Sequence, residues 1–474
     1  MLFNSFVFIV FLAIVLLLHY LPFRWRWKKI NLLLASYIFY AAWNPPFVAL
    51  LWLSTVVDWF AAKEMETSKS VAVKRLMLGV SLGTNLGLLA FFKYGNFVLE
   101  NFVQFVNACG ISYSPAAMNI VLPVGISFYT FQTLSYTLDV YRGKASTWNS
   151  FGDFALYVTF FPQLVAGPIV RATDFLPQCA EPRKATSDQM GWGLSLLLLG
   201  LFQKVVIADG LLAPIADAVY GMTGTPTFVS AWIGTLAFTG QIFCDFSGYS
   251  TCAIGVAMCL GFSLPDNFRF PYAAVGFSDF WQRWHVSLSS WLRDYVYIPL
   301  GGNRGSSVRT YGNLLFTMLI GGLWHGASWV FVVWGGLHGL YLIGERLVRS
   351  LAEARQLRPS VWMRPLLGLL TFTLICFTWV FFRATTFSQA FSIAGAMLGI
   401  SDSNAISVVS QIAVWEVSVV VGLLVTFQWL LRNSTLENAA RATPWWVHSG
   451  VLAVLIISLV LLPGEERAFI YFQF

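Results

Sequence analysis

Long apolar runs separated by short basic clusters extend along the whole chain, at 5–21, 30–53, 76–92, 119–138, 191–212, 228–244, 365–382, 412–431 and 447–463. A helix needs roughly 20 apolar residues to cross the hydrocarbon core of a bilayer. The pattern therefore predicts an all-α polytopic membrane protein with about eight to twelve crossings. No soluble domain of useful size is left over, so residues 1–474 read as a single integral-membrane domain. Two segments depart from plain spans: 269–310 is amphipathic and basic, and 311–344 is too long for one upright crossing.

Composition agrees with the pattern. Hydrophobic residues make up 57% of the chain and charged ones 11%, with mean hydropathy +0.68; soluble proteins carry about 25% charged residues. The charges are placed asymmetrically. Arg24, Arg26, Lys28 and Lys29 follow the first apolar run, further basic clusters fall at 63–75 and 142–144, and Arg269, Arg283, Arg293, Arg304 and Arg309 crowd one segment. No Lys or Arg occurs in 94–118, in 205–268 or in 384–431. Basic loops stay in the cytoplasm, so the N-terminus and these neutral stretches are expected outside, and the C-terminus with them. The net charge of +7 is thus an orientation signal, and nucleic-acid binding is not expected. Six cysteines show no Cys-x-x-Cys pair, and phosphate-loop, Gly-x-Gly-x-x-Gly and His-Glu-x-x-His patterns are absent. This argues against an ATP-driven pump, a zinc protease or a bound metal.

The stretch 279–305 places Phe280, Trp281, Trp284, Leu288, Trp291, Leu292 and Tyr295 on one face of a helix. Arg283, Ser287, Ser290 and Asp294 fall on the other, and His285 on the edge of the aromatic arc. Such a helix is expected to lie at a membrane interface. Downstream, "GGLWHGASW" (321–329) sets His325 between two tryptophans. The run Tyr311 to Gly344 would be about 50 Å long as a helix, so it is either tilted and broken or enters the membrane and returns. Gly321 and Gly322 are the expected break, with His325 near the deepest point. Irregular backbone at that depth is tolerated where it is buried in protein or lines a cavity. Gly322/Gly326 and Gly335/Gly339 also form small-residue packing patterns, under which His325 and His338 would only bridge helices. Spacing alone leaves both readings open, and His338 is placed about 140° round the helix from His325, unsuited to share a metal with it.

"RWHVSLSSWLRDYVYIPLGGNR" and "GLWHGASWVFVVWGGLHG" resemble the membrane-bound O-acyltransferase family, in its bacterial polysaccharide O-acetylation branch. "LPVGISFYTFQTLSYTLDVYRG", "FFPQLVAGPIVR", "LFQKVVIAD", "DFSGYS", "FFRA" and the terminal "FIYFQF" carry the likeness over nearly the whole chain. The resemblance implies a ring of transmembrane helices, with re-entrant and interfacial helices, around a central tunnel. It implies catalytic roles for His325 at the waist and His285 nearer the cytoplasm. Acetyl-CoA would serve as donor substrate, with no bound cofactor. Arg283, Arg293 and Arg304 would attract its phosphates, and Trp284, Asp294, Asn303, Trp324, Gly326, Trp329 and Asp245 would meet substrate. Acetyl transfer from a thioester to a hydroxyl needs a base, and a neutral imidazole suits that work near pH 7. The branch further implies location in the inner membrane among its lipids, a periplasmic SGNH-type acetyltransferase as partner, and polysaccharide secretion machinery. Two alternatives stand beside this: transfer of D-alanine or another acyl group from a carrier protein, and transport of an acyl or glycan intermediate without chemistry. The transporter reading would want paired interrupted half-helices, and only one strong interruption is visible.

Overall fold

The computed structural model describes residues 1–116, 118–355, 360, 362–400, 404–462, 464 and 467–470. Among these, helices are the regular elements, apart from one isolated bridge between Pro226 and Ile406. Five helices are long and apolar enough to cross a membrane: Val71–Ala108, Ser187–Tyr220, Phe228–Cys259, Met363–Arg383 and Gln411–Leu431. Phe6–Tyr20 and Trp445–Leu461 are shorter apolar helices. The chain is a multi-pass membrane protein. Hydroxyl side chains start many of its helices: Ser5, Ser70, Ser306, Ser328 and Ser410 each accept a backbone N–H of the first turn, as capping requires. Residues 471–474 lie outside the described set, and the expected external C-terminus lies there with them.

The chain packs as two compact units, Met1–Leu194 with Ala253–Pro265, and Ser195–Cys252 with Asp266–Phe474. In the first, Phe8, Phe39, Phe154, Phe160 and Phe161 are fully enclosed. A buried polar knot joins three of its helices: Asp58 accepts from Ser81 Oγ at 2.6 Å and Asn85 Nδ2 at 2.9 Å, Ser54 donates to Asn85 Oδ1 at 2.6 Å, and Thr133 Oγ1 of a third helix donates to Asn85 Oδ1 at 3.3 Å. Mutual satisfaction of this kind holds helices together where no water is available.

The second unit contains both segments singled out above, and it revises each. The stretch 279–305 is not one helix. It comprises Phe277–Trp281, a turn, Val286–Leu292 and a wider-wound turn Arg293–Tyr297. The break falls at His285, whose φ of 42° and ψ of 55° are left-handed. Ser287, expected on the outer polar face, is buried. In 311–344 the break also moves. The helix Ser307–His325 runs straight through Gly321 and Gly322 and ends at His325, and a second helix, Trp329–Ala354, begins three residues after Gly326.

Candidate active site

Ser307–His325 and Trp329–Ala354 form an antiparallel hairpin, so the chain doubles back on itself. Gly322 packs on Gly335, Gly335 on the Met318 carbonyl, and Gly339 on Leu315. A Cβ on Gly335 would collide with that carbonyl, and one on Gly322 with the carbonyl of Phe331. The glycines are where they are because the two backbones touch. The turn is extended at Gly326 and closed by Ser328, whose hydroxyl accepts the Val330 N–H.

This hairpin fixes His325 at a helix terminus with 2% of its surface exposed. Its ring meets Trp334 at 4.9 Å, Trp324 at 5.0 Å and Phe382 at 5.3 Å, all edge to face. Aromatic edges and faces are favourable neighbours for one another, and together they hold the imidazole in one orientation. His338 is fully buried, its ring 4.8 Å from that of Trp334 and 5.1 Å from that of Trp281.

Trp324 links this box to the second histidine, its ring 5.8 Å from that of His285. His285 is completely buried, with Phe246 edge-on at 4.6 Å. Its left-handed backbone is held from outside its own helix by Asn267. The Asn267 carbonyl accepts Val286 N–H at 2.9 Å, and Asn267 Oδ1 accepts Ser287 Oγ–H at 2.9 Å and Ser287 N–H at 3.3 Å. Because that oxygen is already receiving protons, the contact to His285 Nδ1 at 3.1 Å is a donation from Nδ1–H. The lone pair then resides on Nε2. Burial pushes the His285 imidazole down to about 3, so the ring is neutral. Asn267 itself donates to Ser250 Oγ at 3.2 Å. It is a functional candidate that periodicity did not expose, because its partners lie far along the chain.

The other expected site residues scatter. Arg283 Nε pairs with Asp279 at 2.7 Å and its Nη1 donates to the Arg432 carbonyl at 2.9 Å, so its donors brace the segment. Arg293 pairs with its neighbour Asp294 at 2.8 Å. Asn303 Oδ1 accepts from Tyr297 and from Arg346 at 3.1 Å, and Arg304 is exposed. Trp284 is wholly enclosed, 4.9 Å from Trp379 and stacked on Phe280. Trp329 is half exposed at the start of its helix, and Gly326 faces the Phe331 ring. Asp245 joins a buried ionic group: Lys204 pairs with it and with Asp209 at 2.9 Å. Lys204 therefore turns inward to carboxylates. The geometry brings His325, Trp324 and His285 together, leaves Arg293 and Arg304 on the surrounding surface, and holds Arg283 partly buried in its pair with Asp279.

An alanine at His285 is expected to slow turnover by about tenfold, less than loss of a base that contacts the reacting group. The shape of the pH–rate profile between pH 5 and 9 should stay as in the wild type, because a ring held neutral down to about 3 has no ionisation there. A lost ionisation limb in His285→Ala, or a loss exceeding that of His325→Ala, would reverse the order of their roles.

A buried imidazole at the turn of a helical hairpin, boxed by aromatic rings, makes His325 the candidate centre of this membrane protein. The family model for the membrane-bound O-acyltransferase family matches residues 144–387, a stretch that includes both histidines. The chain is 42% identical to a protein of Azotobacter vinelandii named "probable alginate O-acetylase", over 85% of this chain and 79% of that one. It is 36% identical to the Pseudomonas putida protein of the same name over the full length of both. It is 34% identical to the peptidoglycan O-acetyltransferase of Helicobacter pylori, over 94% of this chain and 91% of that one. The chain belongs to the membrane-bound O-acyltransferase family, and it is an acyltransferase.

Proposed function

We propose that the protein takes acetyl from acetyl-CoA on the cytoplasmic side of the inner membrane and passes it outward for O-acetylation of a cell-envelope or extracellular polysaccharide. The observation that carries this is the position of His325, at the turn of the helical hairpin, inside an apolar box. In that position the imidazole accepts the proton of an acceptor hydroxyl as its oxygen attacks the thioester carbonyl. The carbon–sulfur bond breaks, and the proton passes on to the departing CoA thiolate. Low polarity around the ring excludes water that would hydrolyse the thioester. The names of the relatives from Azotobacter, Pseudomonas and Helicobacter, all O-acetylating proteins, support acetyl as the group transferred. A periplasmic SGNH-type acetyltransferase is the proposed partner that completes delivery, as the resemblance to the polysaccharide O-acetylation branch implies.

The test uses oriented proteoliposomes. Cys109 is exposed, while the other five cysteines are buried, so an impermeant thiol reagent reports the natural Cys109 against an Arg304→Cys variant. Cys109 should label from outside and Arg304→Cys from the cytoplasmic face. CoA should be released from acetyl-CoA only when the donor is supplied on the face where Arg304→Cys labels. Release from the Cys109 face, or turnover with an acyl carrier protein and none with acetyl-CoA, would overturn the proposal.

A further inference from the structure

The second helix of the hairpin, Trp329–Ala354, carries Trp334, His338, Tyr341 and Glu345, a spacing that sets them in one stripe along a single face. The short helix Phe277–Trp281 docks on that stripe. Phe277 stacks on Tyr341 at 4.5 Å, and Phe280 stacks on His338 at 5.9 Å. Trp281 meets His338 at 5.1 Å and Trp334 at 6.0 Å. So short a helix has almost no stability of its own, and the surface beneath it decides where it sits.

Glu345 supplies what the short helix lacks. Its N-cap position is Gly276, which has no side chain to satisfy the first N–H groups. Glu345 Oε2 accepts two of them, Phe277 N–H at 2.6 Å and Ser278 N–H at 2.9 Å. A carboxylate is also the favoured group at the positive end of a helix. The other carboxylate oxygen pairs with Arg349 at 2.5 Å. Gly276 stands at φ 93°, and a Cβ there would run into the Glu345 carboxylate. Its N–H is taken by Thr371 Oγ1 at 2.9 Å, so the entry to the short helix is held from two other helices.

The chain leaving this clamp leads to His285. Trp284 N–H donates to the Phe280 carbonyl at 2.8 Å, and the Trp284 ring stacks on Phe280 at 5.8 Å. The short helix thereby sets the position from which the chain makes its left-handed turn at His285. The opposite end of the stripe is Trp334, 4.9 Å from His325. One helix face therefore reaches from the His325 box to the clamp, and the clamp holds the segment that carries His285. We propose that Glu345 is a positioning residue for acyl transfer, keeping His285 in place against Trp324 by clamping Phe277–Trp281 onto the hairpin. The inference rests on the reading of His285 as part of the acyl-transfer site.

The test separates reach from charge. Glu345→Gln keeps the reach and an oxygen able to accept both N–H groups, whereas Glu345→Asp keeps the charge and withdraws it by one methylene. Both leave a polar group at the site, so neither depends on the fold surviving its loss. In full-length protein in nanodiscs, Glu345→Asp should lower kcat for CoA release from acetyl-CoA about fivefold, within the roughly tenfold cost of His285→Ala. KM should stay unchanged, and Glu345→Gln should turn over within about twofold of wild type, since the exposed partner Arg349 adds little. In the His285→Ala background Glu345→Asp should cost nothing further, whereas a purely structural contribution would add to within about twofold. A second readout needs no acyl donor and so stands apart from the chemistry. With ¹³C-labelled histidine, the His285 ring signal, assigned by its loss in His285→Ala, should shift in Glu345→Asp and not in Glu345→Gln, because Phe246 edge-on at 4.6 Å and Trp324 at 5.8 Å impose ring-current shifts. An unmoved His285 signal in Glu345→Asp overturns the clamp. Additive losses with His285→Ala, equal losses in Glu345→Gln and Glu345→Asp, or a moved signal with unchanged turnover overturn its role in acyl transfer.

Discussion

Replacing His325 by alanine is expected to leave a folded, inserted protein that releases CoA from acetyl-CoA at least about 100-fold more slowly, the range for a missing general base. Insertion should survive because the hairpin is held by backbone contact at Gly322, Gly335 and Gly339, and none of those contacts involves the imidazole. The competing role, a hydrogen-bonding spacer between helices, makes a different forecast. A spacer would tolerate His325→Gln, which keeps a polar end of similar reach, whereas a base would not, since an amide does not take a proton. Adding free imidazole gives a further readout: partial recovery of His325→Ala but not of His325→Gln, where the site remains filled. Wild-type turnover in His325→Gln would leave His325 a packing residue.

Much of this was legible in the sequence, for a physical reason. A chain in lipid must keep its backbone bonds internal and its surface apolar, so helical content and membrane class follow from the apolar runs alone. The histidines stood out because ionisable rings in apolar segments are rare and costly. What the sequence concealed depends on partners distant along the chain. Gly321 and Gly322 read as a breaker because glycine frees the backbone, yet Gly322 is helical because Gly335 approaches it. In lipid, close approach outweighs flexibility. The interfacial stretch showed the right aromatic face, but its break at His285 is dictated by Asn267, whose side chain and carbonyl take three backbone and hydroxyl protons from 286–287. Nothing in helical periodicity signals that. Lys204 and Asp209 could not be paired by α-helical geometry, since their meeting requires the wider winding of 202–212.

Gly326 puts the division between packing and chemistry to a second test. A leucine there is expected to reduce acetyl transfer about 100-fold while the protein still inserts and melts near the wild-type temperature. Gly326 lies outside both helices in an extended turn, so a side chain breaks no helix. Its Cβ would instead run into the ring of Phe331. Phe331 cannot yield quietly, because its ring stands 5.0 Å from Phe382, and Phe382 stands 5.3 Å from His325. Displacement therefore travels through two rings to the imidazole, and about 1 Å of misplacement at a reacting group costs on the order of 10²-fold. Gly312→Leu, in the same hairpin where an added Cβ meets nothing within 4 Å, should remain active. If the clash is the cause, removing the ring it strikes should relieve it: Gly326→Leu with Phe331→Ala should regain about tenfold over Gly326→Leu alone, a coupling of about 1.4 kcal/mol that contacting residues commonly show. A double variant no better than the single one would mean that Gly326 acts by leaving room for substrate at the turn, and that the aromatic relay to His325 plays no part.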